Sequence, residues 1–105
     1  MEVSYIEIIG DRLGLELEEL SAEAARKNDV TGGVVVKKIR QGGAFSGTRM
    51  EEGFVITSVN GRQIKNSEEF AAALNYGQGR VVLEGIYPNY SGTYTYQVRL
   101  NSEEY

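Results

Sequence analysis

Side chains able to do covalent or acid–base chemistry are few in this 105-residue chain, which has no histidine and no cysteine. Their absence removes Ser-His-Asp and Cys-His machinery, any thiolate and the usual nitrogen or sulfur ligands of zinc. The acids that stand in pairs, Glu51-Glu52 and Glu68-Glu69, are sequence neighbours. Neighbouring side chains diverge in a strand and only partly converge on a helix, whereas paired-carboxylate catalysis needs two groups meeting across a cleft. Ser58 or Ser67 with Lys65 forms no recognisable nucleophile–base motif. These observations read as a non-catalytic chain without cofactor or metal.

Charge and hydropathy narrow the partners. The formal net charge is -4 and the 11 basic residues are scattered, so no basic face is available to engage nucleic-acid phosphates. No apolar run approaches the ~20 residues that span a bilayer, so membrane insertion is not expected. Met1-Glu2-Val3-Ser4 lacks the basic start and apolar middle of a signal peptide. With 41% hydrophobic and 25% charged residues, the chain has the makeup of one globular domain with a single core.

The elements follow from local pattern. Residues 1–9 alternate loosely and read as a first strand or an ordered linker, ended by a turn at Gly10-Asp11. Leu13, Leu15 and Leu17 alternate with Gly14, Glu16 and Glu18, the period of a half-buried strand. Ser21 can cap a short helix running to Arg26-Lys27, where cations suit the helix dipole. After Gly32-Gly33, the β-branched run at 34–39 predicts a strand. The glycine-containing stretch 41–49 is a loop with Ala44-Phe45 tucked against the body. A strand over 54–59 closes at Asn60-Gly61, a strong hairpin signal, and Gln63-Ile64 resumes it briefly. Asn66 or Ser67 caps the next helix, with Glu69 placed for a capping box. Phe70, Ala73 and Leu74 share one face of it, and Gly77 supplies its stop. Strands at 81–87 and 94–100 flank a hairpin loop crowded with tyrosines at 87, 90, 94 and 96. These read as cross-strand packing or as a contact surface for a neighbouring domain. The sum is an α+β domain, a mostly antiparallel sheet closed by two helices.

Arg12-Leu13-Gly14-Leu15, Leu20-Ser21, Gly32-Gly33-Val34-Val35-Val36, Gly53-Phe54-Val55-Ile56, Val59-Asn60-Gly61 and Ser67-Glu68-Glu69-Phe70 occur in the order and spacing of bacterial PDZ domains. The chain most resembles the C-terminal PDZ domain of HtrA/Deg (Do-like) periplasmic serine proteases, and Leu83-Glu84-Gly85-Ile86-Tyr87-Pro88-Asn89 resembles the Bacteroidetes branch. The resemblance implies a small antiparallel β-sandwich or partly open barrel with the permuted bacterial strand order. It divides the chain into a linker or extra N-terminal strand at 1–11, a PDZ domain at 12–100 and a flexible tail at 101–105. Three departures stand out: Phe54 where Asp is common, no proline near Ala44, and Arg12 where an aromatic often stands.

PDZ domains bind peptides by β-strand addition, so the resemblance implies a site. Arg12, Leu13, Gly14 and Leu15 would form the loop that receives a terminal carboxylate, with Gly14 giving backbone access and Arg12 a charge-assisted bond. Leu15, Glu16 and Leu17 would pair with the peptide, and Phe70, Ala73 and Leu74 would line the groove beside it. The same residues also read as plain core, Gly14 as a bulge, and Glu16, Glu18 and Glu19 as a solvated face. The implied partners are peptides or unfolded protein C-termini, and neighbouring protease and PDZ domains of a periplasmic parent. The alternatives are a closed groove used for docking between domains or in an oligomer, and the PDZ of another processing protease.

Overall fold

The computed structural model describes residues 5–74 and 79–100; the expected helix stop at Gly77 and the tail at 101–105 lie outside them. The first described element is helix α1, Tyr5–Leu13, where a strand or linker was expected over residues 1–9, the first four of which lie outside the described residues. Ile6, Ile9, Gly10 and Leu13 fall on one helical face, and Ile9 and Leu13 are buried in the core. Burying that face outweighs the weak alternation in the sequence. Gly10-Asp11 lies inside the helix instead of forming a turn. Leu13 ends α1 instead of opening a strand, and Gly14, at φ 73°, stops it.

Strand β1, Leu15–Glu19, starts one residue later. Helix α2, Ala22–Lys27, is capped by Ser21, whose side chain accepts from the Ala24 N–H at 3.1 Å. Strands β2, Val34–Ile39, and β3, Val55–Val59, follow. Asn60 and Gly61, both at positive φ, turn β3 into the short β4, Arg62–Gln63. In the loop between β2 and β3, Phe45 is fully buried, whereas Ala44 is exposed. Its methyl is too small to drive burial against a surface that the phenyl ring already fills.

Helix α3, Ser67–Leu74, begins at Asn66, whose Oδ1 accepts from the Glu69 N–H at 2.9 Å. Glu69 reaches back to accept from the Lys65 N–H at 2.8 Å. This is the reciprocal arrangement that the sequence spacing predicts, displaced by one residue on its return arm. Strands β5, Arg80–Ile86, and β6, Tyr94–Arg99, form the final hairpin.

All strand pairings are antiparallel, in one sheet of order β1-β2-β3-β5-β6, with β4 attached to β3. Among the described residues the architecture is α+β, an open six-stranded sheet with three helices where two were expected. The core is a single cluster uniting α1, the sheet, Phe45 and α3. Strand β1 stands at one end of the sheet, paired among the described residues with β2 alone; a strand so placed needs cover or a partner.

Candidate functional site

The side chains singled out in the sequence gather where β1, α1 and α3 meet. Leu15 and Phe70 are fully buried, Ala73 is 2% exposed, and Leu17 and Leu74 pack half-buried against the same cluster. Glu16 faces solvent, and Arg12 is exposed in the last turn of α1. Gly14 is half-buried and forms the whole connection between α1 and β1. A Cβ there would lie 2.8 Å from the Gly43 Cα, so two backbones touch at this point. The Gly14 carbonyl accepts from the Arg40 N–H at 2.9 Å.

The two walls of this site are tied together by a residue that sequence reading assigned to a solvated face. Glu19, at the end of β1, accepts from the Ser67 N–H at 2.9 Å and the Ser67 hydroxyl at 2.6 Å. The carboxylate thus sits at the N-terminus of α3, where the helix dipole and an unpaired N–H welcome an anion. Both bonds to Ser67 hold its pKa below the ordinary 4.5, against a small desolvation cost. The contact spans 48 residues, so no local signal announces it.

A carboxyl with a depressed folded-state pKa contributes stability above its unfolded pKa and loses it as pH falls through the folded value. The contribution should therefore fade below about pH 4.5. Glu19→Ala should cost ~0.5–1 kcal/mol at neutral pH, the lower part of the capping range because the pair is exposed. Denaturant melts of the wild type and variant at neutral pH and in acid check both statements: the gap between them should narrow in acid.

Helix α1 folds back along β1. Ile6, Glu7, Gly10 and Asp11 face Leu15, Glu16, Leu17 and Arg40 across a cleft of about 360 Å³. Asp11 meets Arg40 at 2.9 Å. Helix α1 also packs against α3, and its Ile9 and Leu13 share the core cluster with Phe70 and Ala73. The approach is closest at Gly10, where an added Cβ would collide with the Leu15 carbonyl oxygen and reach the Leu17 side chain. Because the Gly14 carbonyl points to β2 and successive carbonyls alternate, the Leu15 carbonyl points to the free edge. The backbone of α1 therefore covers the free edge of β1. Its signal was present in the sequence as Ile6, Ile9, Gly10 and Leu13 at helical spacing.

A second concavity, about 420 Å³, is lined by Arg49, Glu51, Tyr87, Tyr90, Tyr94 and Tyr96. Its rings pack edge to face: Tyr87–Tyr94 at 5.0 Å, Tyr87–Tyr90 at 6.3 Å and Phe54–Tyr96 at 5.0 Å. The Tyr87 hydroxyl accepts from the Glu51 N–H at 2.9 Å and lies 2.7 Å from the Tyr96 hydroxyl. Burial, then that hydrogen bond, raises the Tyr96 pKa above its ordinary value. Tyr87, Tyr94 and Tyr96 do pack across the hairpin; Tyr90 stands 67% exposed. No helix among the described residues is long and apolar enough to cross a membrane.

An antiparallel sheet with an edge strand beside a capped helix, entered through a glycine turn, is the PDZ-like fold. A solved HtrA3 PDZ domain, bound to a phage-derived ligand of sequence FGRWV, superposes with a TM-score of 0.67 and 18% identity. The superposition covers 83% of this chain and 81% of that one. Within that class the sequence is homologous to DegP-like serine endoproteases over a segment of about 60 residues. A probable periplasmic serine endoprotease, DegP-like, from Marinomonas sp. (strain MWYL1) is 36% identical over 61 residues, 58% of this chain. One of the same description from Pseudomonas savastanoi pv. phaseolicola is 38% identical over 60 residues, 57% of this chain. The matches span 13% and 12% of those proteins' lengths. No family model matches the chain.

Proposed function

We propose that this chain is a non-catalytic PDZ module of a periplasmic DegP-like serine protease. It takes an extended peptide or an unfolded C-terminus as an added strand on β1 and so regulates the protease. The observation that carries the reading is β1 itself, an edge strand that among the described residues pairs with β2 alone and is tied to α3 through Glu19, in a PDZ-like fold. A peptide on that edge gains main-chain hydrogen bonds, and apolar side chains at Leu15, Leu17, Phe70, Ala73 and Leu74 offer selectivity. Arg12, Leu13, Gly14 and Leu15 are the residues proposed to receive the terminal carboxylate. The HtrA3 PDZ domain's bound ligand supports a peptide as the ligand class.

One observation favours a second reading. With α1 lying on the free edge of β1, a permanently closed groove would leave the tyrosine-lined concavity as the surface for docking neighbouring protease or PDZ domains. A ¹⁵N NMR titration with FGRWV and its C-terminally amidated form separates the two. Saturable shifts at residues 13–17 and 70–74 with the free carboxylate alone are expected. Silence at both places, in the wild type and in Gly10→Ala alike, would overturn peptide capture and leave the docking reading.

A further inference from the structure

We infer that α1 is a displaceable intramolecular occupant of the peptide groove, so that peptide binding requires its release. This rests on the peptide-binding reading above and concerns the control of that same site.

The position of α1 matches the route of a peptide. It lies on the free edge of β1, packs against α3, and ends at Gly14, where the carboxylate would be received. Helix and peptide cannot both face the Leu15 carbonyl, so occupancy is exclusive. The hold on residues 6–11 is light. Ile9 is the one side chain there that is deeply buried; Ile6 is half-buried, and Ile8 and Asp11 are exposed. The Asp11–Arg40 pair is solvent-facing, with side chains 74% and 44% exposed, and such pairs hold weakly. Leu13, by contrast, is wholly buried. The helix is thus anchored at its C-terminal end and loosely seated beyond it. Gly14, already at positive φ, is the point about which it can swing.

A groove open only a fraction of the time binds with an affinity reduced by that fraction. Releasing α1 should therefore raise the apparent affinity without changing a groove residue. Gly10→Ala is suited to this because its methyl meets backbone, the Leu15 carbonyl, which cannot give way. The same change strengthens the helix as a helix, so any gain comes from undocking. Asp11→Arg, at an exposed position, sets like charges against Arg40 and serves as the independent variant where Gly10→Ala folds poorly.

The experiment measures FGRWV affinity, against its amidated form, for the wild type and both variants. Amide hydrogen exchange over residues 5–13 reports whether α1 is docked. Affinity rising about tenfold or more in the variants, with loss of α1 protection, is the expected result. In the wild type, saturating peptide should likewise expose the α1 amides. Equal affinity in wild type and variants, or wild-type binding with α1 protection intact, would overturn the occupant while leaving peptide capture standing. Variants with α1 demonstrably released that still bind no peptide would overturn both.

Discussion

Phe70→Ala should lower the stability of this domain by ~3–5 kcal/mol, the range for emptying a large aromatic site in a packed core. Phe70 is fully buried and belongs to the cluster that also holds Ile9, Leu13, Leu15 and Ala73. Were it an open groove wall, its ring would be partly solvated and truncation would cost less. The expected loss is thus a statement about α1 as well as about Phe70, since part of what seals the ring comes from the N-terminal helix. Chemical denaturation checks it. A loss well under 2 kcal/mol would mean that the ring is exposed in solution much of the time. The same measurement on Phe70→Ala in the Gly10→Ala background should give less than additive loss, because neighbours that share a cavity couple.

Much of the fold is legible locally. Helix α3 could be read because its cap, its acidic first turn and its apolar face lie within nine residues, and each favours the same structure. The Asn60-Gly61 turn was legible for the same reason: its backbone needs two residues tolerant of positive φ, and the chain supplies them side by side. Residues 1–13 were read differently because their two signals conflict. Gly10-Asp11 is a strong turn dipeptide, and Leu13, Leu15 and Leu17 alternate as in a strand. The helical spacing of Ile6, Ile9, Gly10 and Leu13 prevails only when there is a sheet edge and an α3 face to bury against. The α3 half of that surface comes from residues more than 50 positions downstream. Glu19 is the sharper case. As one of three acids in an exposed run it carried no local distinction, and only the tertiary approach of α3 turns it into a cap. The residues of the candidate groove could therefore be named from sequence, while the helix covering them was hidden by a competing strand signal and the carboxylate joining its walls carried no signal at all.

Gly85→Ala is expected to be among the most damaging single-methyl additions available to this chain. Gly85 sits on β5 opposite Ile56 of β3, beside the irregularity where the register slips between Ile56 and Ser58. A bulge bends the strand that carries it and sharpens its twist. A Cβ at Gly85 would overlap the Val55 carbonyl oxygen and lie 3.1 Å from the Ile56 Cα. Those atoms are backbone in the centre of the sheet, so no rotamer change relieves the clash. Either β3 and β5 separate or the bulge is ironed out. Each outcome shifts the β5–β6 hairpin, and with it Tyr96, from its place on Phe54. The cost should reach or exceed the upper end of the ~1–3 kcal/mol seen for overpacking. Gly47→Ala is the matched control, with nothing near its added methyl; it should be neutral or stabilise by up to ~1 kcal/mol through the unfolded state. Thermal melts of the two variants side by side decide the matter. A Gly85→Ala protein as stable as the Gly47→Ala one would mean that β3 and β5 part easily enough to admit the methyl. Tyr87 and Tyr96 would then have room to rearrange, and the concavity they line would be a different shape.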